Sequence, residues 1–260
     1  MIRADGTPIL RDAHKHLALE NVRIRSGRVD ASRIRIRLPD LELLRPLREE
    51  QQSLASEIVE QDEPAPIRVV AGVDVAYQGD QMVATAVSVP VEGLETTELA
   101  VVRRPVTFPY IPTYLAYREF PGIEAAVRRL SRRPDVLMID GHGRLHPALF
   151  GVACYAGLKL DLPTIGIAKH PLAGRVKSSN KRHLYALPIE IDGITRGYAW
   201  TPPGRARAIY VSVGHRISLE SALAVVQKTT RHGYPEALKI ADRISSKMKW
   251  NEKREKGAAR

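Results

Sequence analysis

A chain of 260 residues, 44% of them hydrophobic, carries enough apolar material for one large buried core, with or without an appendage. It has no unbroken apolar run near the roughly 18 residues of a membrane-spanning helix, so no membrane role is expected. Lysine and arginine number 40 against 29 aspartates and glutamates, and the net charge of +11 favours a polyanionic partner, although an acidic membrane surface or plain solubility fits the charge equally well. The single cysteine, Cys154, excludes an intramolecular disulfide framework and a multi-cysteine zinc site. A reducing cytosol suits it, and the charges in the opening MIRADGTPILRD leave no secretory apolar core, so a cytoplasmic protein is expected.

Residues 1–38 stand apart. Arg23, Arg25, Arg28, Arg33, Arg35 and Arg37 crowd together there, with Ile34, Ile36 and Leu38 alternating among the last of them. This stretch reads as a basic extension, either a flexible arm or sequence ahead of the folded part, while residues 39–250 read as the globular domain and 251–260 as a charged tail. Leu41, Leu44, Leu47, Leu54 and Ile58 recur near helical spacing and predict an amphipathic helix over residues 40–60. IRVVAGVDVAY and MVATAVSVP, separated by a tight turn at QGD, predict two strands, and a third is expected between Thr96 and Phe108. Short links make these three an antiparallel meander.

Beyond them helix and strand alternate. A helix is expected from Pro121 through Ile123, Val127 and Leu130, then a strand at Val136–Ile139, apolar enough to be buried on both faces. Pro147 is expected to open a second helix with small residues for close packing, and PTIGIAK to form the next strand. Asp192-Gly193 predicts a hairpin turn, AIYVSVG a further strand, and Ser218 the cap of the helix LESALAVVQK. Pro235 starts the last helix. Three antiparallel strands followed by α-β-α-β give an α/β fold with a mixed sheet between helices, in the ribonuclease H-like order; a generic α/β domain with an antiparallel edge has the same outline.

Three carboxylates interrupt this pattern. Asp74 sits inside the apolar strand VVAGVDVAY, where an isolated carboxylate costs several kcal/mol unless a cation or hydrogen bonds compensate it. An arginine partner or capping amides answer that need as well as a metal does. Asp140 ends the run VLMI at the carboxyl edge of a strand, where open sheets bind ligands, and Gly141 and Gly143 beside it allow a close backbone approach; an ordinary Asp-Gly turn reads the same way. Glu119, ahead of a helix, passes alone for a solvated glutamate. Gathered together, such groups repel one another unless a multivalent cation binds them, and hard oxygen ligands suit Mg²⁺, with Mn²⁺ able to substitute. Lys169 follows the strand TIGIA and belongs at the same edge as Asp140, free to orient a nucleophile or neutralise phosphate, or to be a plain surface lysine. His146, just before Pro147, is either an active-site group or an N-terminal helix residue.

These residues lie in AGVDVAY, PYIP followed by YREF, IDGHGRLHPALFGVACYAGLKLDLPTIGIAKHPL, VSVGHRISLESAL and YPEALKIADRIS, in order from about Leu41 to Lys249. The series resembles the signature of the endonuclease V (deoxyinosine 3′ endonuclease) family. That resemblance implies a ribonuclease H-like fold, Mg²⁺, and Asp74, Glu119 and Asp140 as metal-binding and catalytic carboxylates. It implies His146, Lys169 and His215 as further active-site residues, and a wedge at PYIP with Tyr110 and Pro112 against nucleic acid. Gly141, Gly143 and Gly151 suit the walls of a pocket that takes a flipped hypoxanthine and excludes the 2-amino group of guanine, with Leu115 packing on the base; ordinary turn and helix-packing glycines read the same way. The implied reaction, by a monomer on deoxyinosine-containing DNA, cuts the second phosphodiester bond 3′ to the lesion and leaves 3′-hydroxyl and 5′-phosphate ends. Thr113 stands where the pattern has glycine, and Val213 where it has proline. An inosine-specific ribonuclease, another ribonuclease H-like structure-selective nuclease, and a nucleic-acid binder without catalysis are the alternatives.

Overall fold

The computed structural model describes residues 41–63, 65–177 and 186–258, so the basic extension at 1–38 lies outside the described residues. The elements in chain order are α1 (Leu41–Ala55), β1 (Val69–Gln78), β2 (Gln81–Pro90), β3 (Glu98–Pro105), α2 (Leu115–Val127), β4 (Val136–Asp140), α3 (Val152–Leu160) and β5 (Thr164–Ala168). They continue with β6 (Arg175–Val176), β7 (Ala186–Ile191), β8 (Ile194–Trp200), β9 (Ile209–His215), α4 (Leu219–Lys228) and α5 (Glu236–Ala258). The strands form one sheet of nine, in the order β3-β2-β1-β4-β5-β9-β8-β7-β6. Only the β1–β4 and β4–β5 pairs are parallel. An antiparallel meander feeding parallel central strands is the expected ribonuclease H-like arrangement.

Period-two alternation sorts the core into two layers. Val136 and Met138 of β4, with Ile165 and Ile167 of β5, pack under α4 and α5 against Val226, Leu238 and Ala241. Leu137 and Ile139 turn the other way, to Ile123 and Ala126 of α2 and Ala153 and Ala156 of α3. Each fully buried aliphatic side chain contributes about 1.5–3 kcal/mol, which is why these strands carry no polar alternation until their ends.

Several boundaries differ from the sequence reading. α1 stops at Ala55, and Ile58 belongs instead to an extended strap in which the Val59 carbonyl accepts from the Arg216 amide at 2.7 Å and Asp62 accepts from the Ser218 amide at 2.8 Å. α2 begins at Leu115, so Pro121 lies inside it; the packing of Ile123 and Ala126 outweighs the one lost N–H. Pro147 opens no helix. The amides of Arg144, Gly151 and Ala153 are committed to the carbonyls of Val213, Gly143 and His142, which folds residues 141–151 into an irregular loop ahead of α3. The cap at Ser218 is as expected, its side chain accepting from the Ser221 amide. α5 continues to Ala258 through most of the stretch read as a charged tail. Among the described residues no helix is long and apolar enough to cross a membrane.

Candidate active site

The alternation that builds the core also carries the carboxylates to one edge. On β1, Val70 packs under α4 and α5, and a Cβ on Gly72 would strike the Leu238 amide of α5, so Asp74 continues the face toward α5. Val73 pairs with Ile139 across the parallel β1–β4 ladder, which sets Asp74 beside Asp140. On the other side Asp140 pairs with Ile167, and Lys169 follows two residues on. Three neighbouring strands in register, β1, β4 and β5, thus bring both carboxylates and the lysine together on the α5 face.

Each group has a protein partner. Lys169 Nζ lies 2.7 Å from Asp140 Oδ2 and 4.0 Å from Asp242 Oδ1. Tyr234 places its one phenolic proton between Asp140 Oδ1, at 3.1 Å, and the Ile167 carbonyl, at 3.0 Å. Ser245 Oγ donates to Asp74 Oδ2, and Tyr77 Oη donates to Glu119 Oε1 at 3.0 Å. Glu119 is only 8% exposed and reaches the cluster from α2.

The electrostatics follow from burial and crowding. Burial, with the fields of Asp74 and Asp140, pushes the Glu119 carboxyl up to about 8. Burial, with Asp140 and Asp242, raises Asp74 to about 6. For Lys169 burial works in the opposite sense, but Asp140 and then Asp242 and Asp74 outweigh it and hold the ammonium above its usual range. Three carboxylates, Asp140, Asp242 and Asp74, therefore act on Lys169, while Glu119 stands in the fields of Asp74, Asp140 and the Arg118 guanidinium. Among the described residues no three His, Cys, Asp or Glu side chains stand close enough to cage an ion as they are. The donor set nevertheless fits a hard divalent cation: its ligands are all oxygen, and the mutual repulsion that lifts Asp74 and Glu119 is what such a charge relieves.

Among the described residues neither expected histidine hydrogen-bonds to the carboxylates or the lysine of the cluster. His146 Nδ1 accepts from the Ala148 amide at 3.1 Å, so Nε2 carries the proton and donates to the Thr113 carbonyl at 3.0 Å. Burial, and then His142, lowers its pKa to about 3, which leaves a neutral ring with both nitrogens engaged. His215 ends β9, which runs antiparallel to β5, and it pairs with Thr164 at the start of β5. That is the end of the sheet opposite Lys169, where His215 Nδ1 accepts from the Val59 amide at 3.3 Å.

The turn before α2 carries Tyr110, which is 45% exposed, and the half-buried Pro112, and α2 opens on the half-buried Leu115. Burial, with the field of Glu119, raises the Tyr110 phenol, so this turn borders the cluster. Gly141 and Gly143 have ordinary φ values, and close packing is what demands glycine there: a Cβ on Gly143 would meet the Val213 carbonyl at 2.0 Å, and one on Gly151 the His142 carbonyl at 2.1 Å. Those sides of Gly143 and Gly151 therefore face protein backbone.

Thr113 has φ +73°, a left-handed conformation rare for a β-branched residue, and its carbonyl is pinned by Gln51 Nε2 at 2.9 Å as well as by His146. Left-handed strain costs about 1–2 kcal/mol, and glycine's extra backbone entropy offsets about 0.5–1 of that. Thr113→Gly is thus expected to raise stability by about 0.5–1 kcal/mol in urea unfolding. A lower midpoint would mean that the threonine side chain contributes more than its strain costs.

Sequence reading missed Asp242, Tyr234, Ser245 and Tyr77. A carboxylate inside YPEALKIADRIS looks like a solvated helix face; only the packing of α5 against β1 brings it to Lys169.

Comparison with known proteins agrees with this fold. Residues 52–243 match the family model for endonuclease V. An endonuclease V from Thermofilum pendens is 40% identical over 208 residues, covering 79% of this chain and 88% of that protein. One from Roseiflexus castenholzii is 41% identical over 198 residues, covering 75% and 89%. The crystal structure of human ENDOV superposes with a TM-score of 0.73 at 31% identity, over 80% of this chain and 99% of that one. Ciona intestinalis endonuclease V, in complex with a 24mer DNA containing an inosine followed by a ribo-adenosine, gives 0.74 at 25% identity, over 80% and 98%. Sequence match, fold and a crowded acidic edge all lead to one assignment: the chain belongs to the endonuclease V family and is a nuclease hydrolase.

Proposed function

We propose that this protein cuts DNA beside a deaminated base, hypoxanthine above all, at the second phosphodiester bond 3′ to it, leaving 3′-hydroxyl and 5′-phosphate ends. The observation that carries this reading is the gathering of Asp74, Asp140 and Asp242 around Lys169, with Glu119 in the fields of Asp74 and Asp140, in a chain of this family, one of whose members binds inosine-containing DNA. Asp74, Glu119 and Asp140 would hold Mg²⁺, or Mn²⁺ in its place, with Asp242 at the rim. When bound, the cation supplies Lewis-acid stabilisation of phosphate charge and acidifies water. The protein's own groups prepare the site: Lys169 and Tyr234 fix the two oxygens of Asp140, and Ser245 and Tyr77 orient Asp74 and Glu119. His146 acts by holding the Thr113 carbonyl, and so the Tyr110 turn, in place. One chain carries the whole set, so a monomer suffices. A second reading, cleavage of inosine-containing RNA, draws on the ribo-adenosine that follows inosine in the Ciona complex. Incision assays on inosine-containing DNA and RNA, single and double stranded, decide between the two; equal cutting of undamaged strands would remove both.

Cation binding and proton release are linked here. Glu119 rises from 4.5 to about 8 and Asp74 from 3.8 to about 6. Raised carboxylates add stability that is fully present below their unfolded values and lost as pH climbs through the folded ones. The cation-free protein is thus expected to lose stability between about pH 4 and pH 8, and Mg²⁺, which binds the ionised forms, to raise Tm more at about pH 8 than at about pH 5. Equal shifts at both pH values in thermal denaturation would contradict this.

Tyr110→Ala is expected to weaken preference for inosine more than it slows chemistry. Loss of an aromatic stacking contact costs about 1–3 kcal/mol per base. Competition between inosine-containing and undamaged duplex reads the effect; an equal loss on both would point to a folding role.

A further inference from the structure

The loop joining β8 to β9 enters the sheet beside the cluster, since Tyr210 at the start of β9 pairs with Ala168, the neighbour of Lys169. Its shape is fixed locally. Gly204 has φ +73° and lies hard against the His232 ring, and the Gly233 amide donates to the Pro203 carbonyl at 2.9 Å. This docks the loop on the segment that carries Tyr234. The Tyr234 ring then has two cations near it, Lys169 Nζ at 5.1 Å and the Arg205 guanidinium carbon at 5.8 Å from its centroid.

The two cations differ in what else they touch. Lys169 is bound to Asp140. Arg205 spends only Nε, on the Arg207 carbonyl at 3.0 Å, and forms no ion pair among the described residues. Other arginines are committed: Arg144 and Arg196 share Glu60, and Arg216 is paired with Glu63 and Asp161. A partly exposed guanidinium held one tyrosine ring away from Asp140, with its terminal nitrogens uncommitted, has the fork geometry that phosphate oxygens accept.

We infer that Arg205 binds a backbone phosphate flanking the one that is cut, so that the β8–β9 loop positions the substrate strand across the acidic edge. This rests on the nuclease reading above and adds a residue to it. An acidic edge repels a polyanion, and Arg205 supplies compensating charge at a point where Lys169 is already engaged by Asp140.

The test is a salt titration of binding to a labelled inosine-containing duplex, with Asp74→Asn as the non-cutting parent. Adding Arg205→Gln is expected to weaken binding about tenfold and to flatten the log–log salt slope by about 0.9, the value of one phosphate contact on duplex DNA. Arg205→Lys keeps the charge but loses the fork, so it is expected to bind more weakly with an unchanged slope. Arg128→Gln removes the same charge from a helix-surface pair with Glu124 and is expected to leave the slope alone. A slope for Arg205→Gln parallel to the parent's, or equal flattening by Arg128→Gln, overturns the inference. If Arg205→Gln does not fold, the lysine variant decides, and unchanged affinity there overturns it. Counterion release does not depend on the base, so failure of the intact protein to cut at inosine would remove the substrate reading while this measurement still judged Arg205.

Discussion

Replacing Asp140 with alanine is expected to lower incision at inosine by on the order of 10³-fold or more while sparing the fold and most nucleic-acid affinity. Asp140 is the hub of the acidic edge: one oxygen meets Lys169, the other Tyr234, and its field helps raise both Asp74 and Glu119. In the proposed mechanism its removal takes away a cation ligand, and it frees Lys169 to swing toward Asp242. The fold should survive. The ion pair is partly exposed, with side-chain exposures of 38% and 18%, and pairs of that kind contribute about 1 kcal/mol or less. Tyr234 keeps the Ile167 carbonyl as acceptor. Affinity comes mainly from phosphate contacts, which the substitution leaves in place. Single-turnover cleavage, circular dichroism and a binding isotherm read the three parts separately. Retained cutting would move the chemistry off this edge; lost folding would make Asp140 structural.

The second large effect is expected at Asp242, with His215 as its contrast. Asp242→Asn should slow cleavage roughly 10²-fold, because it removes one of the charges set around Lys169 and Asp74 without changing shape. His215→Gln should leave the cleavage rate within about threefold and lower stability by about 1 kcal/mol, since its ring nitrogen serves the Val59 amide at the far end of the sheet. Rates under saturating substrate with parallel urea unfolding distinguish the two. A slow His215 variant beside a normal Asp242 variant would reverse the assignment.

The strands and their order were legible because apolar runs with short links admit few topologies, and Asp74, Asp140 and Lys169 stood out as charges breaking or ending those runs. The histidines were not. β9 reads as a strand from its residues, but nothing local tells that it runs antiparallel to β5, so the end nearer the site is Tyr210 and not His215. The loop 141–151 misled for a related reason. Pro147 and the small residues after it suit a helix, while the distant Val213 carbonyl claims the Arg144 amide and breaks it. Asp242, Tyr234 and Ser245 depend on how α5 docks on β1 and β4, a long-range packing outcome that charge periodicity along one helix does not encode. Thr113 was visible as an oddity, but its left-handed backbone was not.

The most direct test of the central claim maps the cut. An end-labelled duplex with one deoxyinosine, incubated with the intact protein in Mg²⁺, is expected to give a single nick at the second phosphodiester bond 3′ to the inosine, with 3′-hydroxyl and 5′-phosphate ends. The guanine-containing duplex should stay whole, chelation should abolish the product, and Asp140→Ala should yield none. A cut at undamaged positions, or one that persists without divalent cation, would contradict the account.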